Sequence, residues 1–228
     1  MKKVIIALVI FCVTINAHAK EGVVLLHGIA RSASNMEKFE TTLEERGYNV
    51  LNINYPSTSQ PIEKIRQTID ANIQNFTKQN SKTHFVTHSM GGLVARAYLN
   101  NNKLNNLGRV VMLSPPNQGS EVADFLKNNF LYKKIYGPAG QQLTTDQTAL
   151  HHILGNIYYE LGIIAGTWSI DPVSSFIIPG DDDGKVSTER MKVDGMKAFI
   201  ETPTTHTFMM KDDKVINLTI RFIEQGHF

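Results

Sequence analysis

The stretch His84-Phe85-Val86-Thr87-His88-Ser89-Met90-Gly91-Gly92 decides how this chain is read. A short β-like run, His84 to Thr87, gives way to a helical run whose body is Leu93 to Leu99, and Ser89 stands on the turn between them. A serine placed there is pushed outward above a sheet, on a strained backbone that bulky neighbours would block. Gly91 and Gly92 remove that bulk and let the helix pack close behind. The competing reading is that Ser89 only caps the helix. A capping box would put Glu or Gln three residues on, and that position is Gly92.

Outward from this turn, short apolar runs alternate with helical patterns, as in a parallel sheet wrapped by helices. Val23 to Leu26 is continuously apolar and suits a strand buried on both faces. Asn35 to Arg46 reads as a helix ending at Gly47, and Val50 to Ile53 as a strand closed by Tyr55-Pro56-Ser57. After Pro61, the residues Ile62, Ile65, Ile69, Ile73 and Phe76 recur at helical spacing and form one apolar stripe, which is core. Arg109 to Leu113 is a strand stopped by Ser114-Pro115-Pro116, further strands fall near Ile163 to Ala165 and at Ala198 to Glu201, and Asp212 to Glu224 closes the chain as a helix. The expected architecture is a small α/β domain over 20–228. Its sheet is mostly parallel with helices on both faces, and 119–162 forms an irregular helical insert.

The first nineteen residues read differently. Lys2 and Lys3 precede an apolar run from Val4 to Ile15, and Ala17-His18-Ala19 carries the small-x-small pattern of a signal-peptide cleavage site. The run is shorter than the roughly 20 residues that span a bilayer, so cleavage after Ala19 and export are expected over an uncleaved anchor. That step removes two of the 23 basic residues and none of the 21 acidic ones, leaving a formally neutral chain. Neutrality leaves nucleic-acid binding without an electrostatic footprint. The single cysteine, Cys12, departs too, which excludes disulfides, a thiol nucleophile and thiolate metal sites from the mature chain.

The turn at Ser89 resembles the nucleophile elbow of α/β-hydrolase-fold serine hydrolases, written Gly-x-Ser-x-Gly, with Thr87 in place of the first glycine. His27-Gly28-Ile29-Ala30-Arg31-Ser32, directly after the Val23 to Leu26 run, resembles the strand-end His-Gly segment of bacterial lipases and esterases. The resemblance implies that the backbone N–H groups of Ile29 and Met90 form the oxyanion hole. His27 itself reads as a structural residue, and Arg31 as either a surface charge or a support for the loop.

A serine hydroxyl needs a base, and the base needs an orienting acid. The family implies the chain order serine, acid, histidine. Ile177-Ile178-Pro179-Gly180-Asp181-Asp182-Asp183-Gly184-Lys185-Val186-Ser187 resembles the family's Asp-Gly-x-Val acid segment, which follows a late strand. That alignment selects Asp183, with Asp182 second. A calcium loop is the other reading of such acids, but no glutamate completes its spacing. Beyond this loop lie His206, between the last strand and the closing helix, and His227 at the frayed end, so His206 is the expected base. His84 and His88 read as strand and elbow residues, and His151-His152 has no carboxylates at metal spacing.

The resemblance implies a serine ester hydrolase, esterase or lipase, working through an acyl-enzyme without a cofactor or metal, on a small-molecule ester or lipid. Contact with a membrane surface would follow for a true lipase. A thioesterase or acyltransferase using the same residues, and a non-catalytic binding protein of this fold, remain open. Open too is whether 119–162 is a lid or ordinary packing helices.

Overall fold

The computed structural model describes residues 19–146 and 148–228. The predicted leader therefore lies outside the described residues, apart from Ala19. One parallel sheet of six strands forms the centre, in the order β2-β1-β3-β4-β5-β6. These are β1 (Glu21–Leu26), β2 (Asn49–Ile53), β3 (Lys82–His88), β4 (Leu107–Leu113), β5 (Leu161–Gly166) and β6 (Ala198–Thr202). Every strand expected from the sequence is present, and each extends by a residue or more at one end or both.

Side-chain alternation sorts the strands' apolar residues onto two faces. Val24, Leu26, Phe85, Val110, Met112 and Ile163 point to one face, where α2 (Ile62–Thr77), α3 (Met90–Asn101) and α6 (Thr148–Leu154) pack. Val23, Leu25, Val86, Val111, Leu113 and Ile164 point to the other, covered by α1 (Glu37–Glu45) and α9 (Asp213–Gln225). The stripe predicted for α2 is the buried one, with Ile62, Ile65, Ile69 and Ile73 in the core. Asp212 caps α9 by accepting from the N–H groups of Lys214 and Val215, and Gly226 ends the helix in the left-handed conformation.

The insert resolves into α4 (Glu121–Leu126), α5 (Phe130–Gln141) and α6. Its helical part stops at Leu154, and Leu161 and Gly162 already belong to β5, so the expected end at 162 is too late. Packing accounts for only part of its aromatics. Tyr132 is buried, whereas Phe125 and Phe130 are 66% and 74% exposed. The segment before the acid loop also departs from expectation. Ile177 ends a helix, α7 (Pro172–Ile177), so the late strand expected before the acid loop is β5, and a helix stands between the two. Asp171 caps this helix and Pro172 opens it, a start signal stronger than the apolar pair Ile177-Ile178. Among the described residues no helix is long and apolar enough to cross a membrane.

The sheet positions the site through its order. The chain leaves β1 toward β2 on one side and leaves β3 toward β4 on the other, opening a crevice above their carboxyl ends. Helix α3 approaches β1 closely there. A Cβ on Gly91 would lie 2.4 Å from the Leu26 carbonyl oxygen and 2.7 Å from that of His27. Gly91→Ala is therefore expected to cost about 1–3 kcal/mol by overpacking against rigid backbone, read as a lower urea midpoint.

Candidate active site

Ser89 has φ 53° and ψ −127°, a backbone conformation that few residues other than glycine adopt. Its N–H donates to the Leu113 carbonyl at 2.8 Å, which anchors the turn to β4. Its side chain makes no capping bond to α3. The hydroxyl instead lies 2.9 Å from His206 Nε2, while His206 Nδ1 lies 2.7 Å from Asp183 Oδ2. Those partners assign the tautomer: Nδ1–H donates to the carboxylate, and Nε2 accepts from the serine.

Asp183 is buried and held from several sides. Its Oδ1 accepts from the N–H groups of Lys185 at 3.0 Å and Val186 at 2.9 Å. Its own carbonyl accepts from the His206 N–H at 3.0 Å, so acid and histidine loops are joined through backbone as well as side chains. Asp182 is engaged elsewhere, with Oδ1 accepting from Gly184 N–H at 2.6 Å and Ser175 Oγ at 3.0 Å. Of the two acids weighed from the sequence, Asp183 is the one beside His206. His227 is exposed at the chain end.

Met90 is the first residue of α3, where an N–H has no acceptor within the helix. Ile29 sits in the turn after β1 and lines the crevice. Tyr55 fixes that turn, for its ring stacks on His27 with centroids 4.0 Å apart and its hydroxyl donates to the His27 carbonyl. His27 is thus a packed loop support, as read from the sequence, and Arg31 is exposed at the crevice rim. Thr87, which stands where the elbow pattern has glycine, is fully buried and faces Gly92, with its Oγ1 3.5 Å from where a Cβ on that glycine would lie.

His88 is the residue whose part the sequence hid. Its ring is buried beside that of His206, and its Nε2 lies 2.9 Å from the His206 carbonyl oxygen, which requires Nε2–H as donor. This bond ties the elbow to the loop carrying His206. Burial foremost, then the neighbouring His206, holds its pKa well below the ordinary histidine range. Burial also lowers His27 and His84, the latter partly offset by Glu21. Unfolding releases these rings to bind protons, so stability is full above about pH 6.5 and falls as pH drops through it. The slope is up to about 1.4 kcal/mol per pH unit for each such histidine. Thermal melts from about pH 8 to about pH 5 should show a falling midpoint, and His88→Gln should flatten the fall.

Beside Ser89 the crevice runs into a cavity walled by Ile29, Val122 and Leu126 of α4, Tyr132 and Tyr136 of α5, and Leu143. The walls are apolar and suit an alkyl chain. Two bonds hold the insert against the acid loop. Ser120 Oγ donates to the Lys185 carbonyl at 2.7 Å, and Arg190 pairs with Glu121 at 2.5 Å. Among the described residues no cluster of three His, Cys, Asp or Glu side chains has the disposition of a metal site.

The sequence model of the palmitoyl protein thioesterase family matches residues 22–161, more than half of the chain. The chain belongs to the palmitoyl protein thioesterase family. Solved structures agree on the fold. The lipase BlEst2 of Bacillus licheniformis, in its mature form, superposes with a TM-score of 0.70 at 21% identity, covering 92% of this chain and 93% of that one. A thermophilic esterase from Thermogutta terrifontis gives 0.59 at 14% identity, covering 92% of each chain. Phospholipase PlaB from Legionella pneumophila gives 0.55 at 16%, covering 76% of this chain and 46% of that one. No curated protein matches the sequence. This member of the palmitoyl protein thioesterase family is thus an α/β hydrolase. Its match ends at Leu161, before Asp183 and His206, so these two residues stand on geometry and on the resemblance of their loops.

Proposed function

We propose that this chain is an exported serine hydrolase that cleaves carboxylic esters of lipid-like acids through an acyl-enzyme. The observation that carries the proposal is the hydrogen-bonded series Ser89 to His206 to Asp183, closed at 2.9 Å and 2.7 Å. Ser89 Oγ attacks the acyl carbonyl as its proton passes to His206 Nε2. Asp183 keeps the ring oriented and stabilises the imidazolium. The N–H groups of Ile29 and Met90 receive the negative charge that develops on the carbonyl oxygen, a contribution worth about 10²–10³ in rate for each donor. The leaving alcohol takes the proton back from His206. Water then attacks the acyl-enzyme and gives a proton to His206, which returns it to Ser89 Oγ as the acyl–oxygen bond breaks and the acid departs. The apolar cavity beside Ser89 receives the acyl chain.

A second reading keeps every residue and exchanges the ester for an acyl thioester, and the family match favours it. The assay that separates the two compares p-nitrophenyl esters and acyl thioesters across a series of chain lengths. Higher kcat/KM for esters supports the first reading, and higher kcat/KM for thioesters replaces it with the second. Turnover of neither, by protein shown to be folded, would favour a binding protein of this fold. Product analysis with added alcohol tests whether an acyltransferase is at work. Export rests on the leader ending at Ala19, and a mature N-terminus at Lys20 is its direct check.

A further inference from the structure

Ten large apolar side chains are exposed among the described residues, and nine of them lie on segments that follow the strands' carboxyl ends, the edge at which the crevice opens. Four stand on α4 and α5, the helices that wall the cavity: Phe125, Phe130, Leu131 and Ile135. Another four, Trp168, Ile170, Val173 and Phe176, follow the carboxyl end of β5 and continue through α7, which packs on α4. Phe208 lies two residues beyond His206. All strands are parallel, so their carboxyl ends, and the loops carrying Ser89, His206 and Trp168, lie at one edge of the sheet. Tyr158 is the exception, at the opposite edge before β5. Phe176 at 93% and Phe130 at 74% exposure are far outside the usual place of such rings. Exposed apolar side chains gathered at one edge of the sheet in this number mark a docking surface.

Charge says what docks. Lys127, Lys133 and Lys134 are exposed among the rings of α4 and α5. The acids of α4 are engaged, Glu121 with Arg190 at 2.5 Å and Asp124 with the Thr145 hydroxyl at 2.5 Å and more loosely with Lys127 at 3.9 Å, so Lys133 and Lys134 carry most of the outward charge. On α7 the capping Asp171 is paired with Lys185 at 2.8 Å. The outward face of the rim therefore combines bare rings with cations, the composition that partitions into an anionic lipid surface. The helices that carry part of the rim, α4 and α5, also wall the cavity beside Ser89 through Val122, Leu126, Tyr132 and Tyr136, while Arg31, Ser120 and Lys185 form its polar part.

We propose that this rim docks on an anionic lipid surface, with Phe130, Trp168 and Phe176 immersed, Lys127, Lys133 and Lys134 at the headgroups, and the crevice facing the lipid. The orientation deepens the acyl-hydrolase reading and rests on it for what the crevice receives. The docking itself needs no turnover.

Trp168 is the chain's only tryptophan, so its emission reports this rim alone. The test titrates the Ser89→Ala protein, which leaves lipid intact, with vesicles of phosphatidylcholine and with vesicles of phosphatidylcholine and phosphatidylglycerol in equal parts. A blue shift with saturable binding, stronger on the mixed vesicles, is the expected result. Phe130→Ser with Phe176→Ser should weaken binding to both vesicles by about tenfold per ring. Replacing the three lysines by glutamine should weaken binding to the mixed vesicles alone, by about a hundredfold. Both variants, made with Ser89 intact, should hydrolyse a soluble short-chain ester like the parent, which shows that they fold. No shift on either vesicle overturns the proposal. So does a shift that follows protein concentration without lipid, which would make a second copy of this chain the occupant. Absence of ester hydrolysis by the folded parent, with vesicle binding as expected, would sink the catalytic reading and leave the docking standing.

Discussion

Ser89→Ala is expected to lower kcat by on the order of 10⁶ on any ester that the parent turns over, with KM and folding stability nearly unchanged. The size follows from the geometry. The hydroxyl is the group 2.9 Å from His206 Nε2, and the neighbouring His88 is committed to the His206 carbonyl. Folding should be indifferent because the bond that holds the elbow runs from the Ser89 N–H to the Leu113 carbonyl and does not involve the side chain. Stability is therefore expected within about 0.5 kcal/mol of the parent. Steady-state kinetics beside a thermal melt reads both quantities, and a large fall in melting point would mean that the activity was lost through unfolding.

Asp183→Asn is expected to give the second large effect, a fall in kcat of about 10⁴, because an amide in place of the carboxylate would no longer favour the Nδ1–H tautomer or the imidazolium. Asp182→Asn is its control. That carboxylate accepts from Gly184 N–H and Ser175 Oγ, so its loss should loosen the loop and lower the melting point while kcat stays within about tenfold. If the two substitutions exchanged their effects, the acid would be Asp182 and the loop would have to turn over during catalysis. The pair can be read in one kinetic series with a single ester.

Much of this arrangement was legible because strand and turn chemistry are local. Val23 to Leu26 is a buried parallel strand whose apolar continuity leaves few other readings, His84 to Thr87 is short and followed by turn and helix residues, and each strand leads within a few residues to the site. The order of Ser89, Asp183 and His206 along the chain was readable in the same way. What escaped depends on contacts across the fold. His88 looked like filler at a variable position, and its bond to the His206 carbonyl joins residues more than a hundred positions apart. The helix α7 before the acid loop went unread because the two apolar residues Ile177-Ile178 cannot distinguish a strand from the last turn of a helix, while the cap at Asp171 could have marked its start. The exposure of Phe125, Phe130 and Phe176 was invisible for a related reason. An aromatic residue at helical spacing faces the core in most helices, and only the packing of α4, α5 and α7 shows which side is left open.

The central claim is that Ser89 is the nucleophile, and covalent labelling tests it most directly. Folded parent protein is incubated with a fluorophosphonate, digested, and the modified residue located by peptide mass spectrometry. The prediction is a single adduct on Ser89, absent from Ser89→Ala and formed far more slowly by His206→Ala, with ester turnover lost in proportion to labelling. An adduct on another residue, or full ester turnover by unlabelled protein, would contradict it.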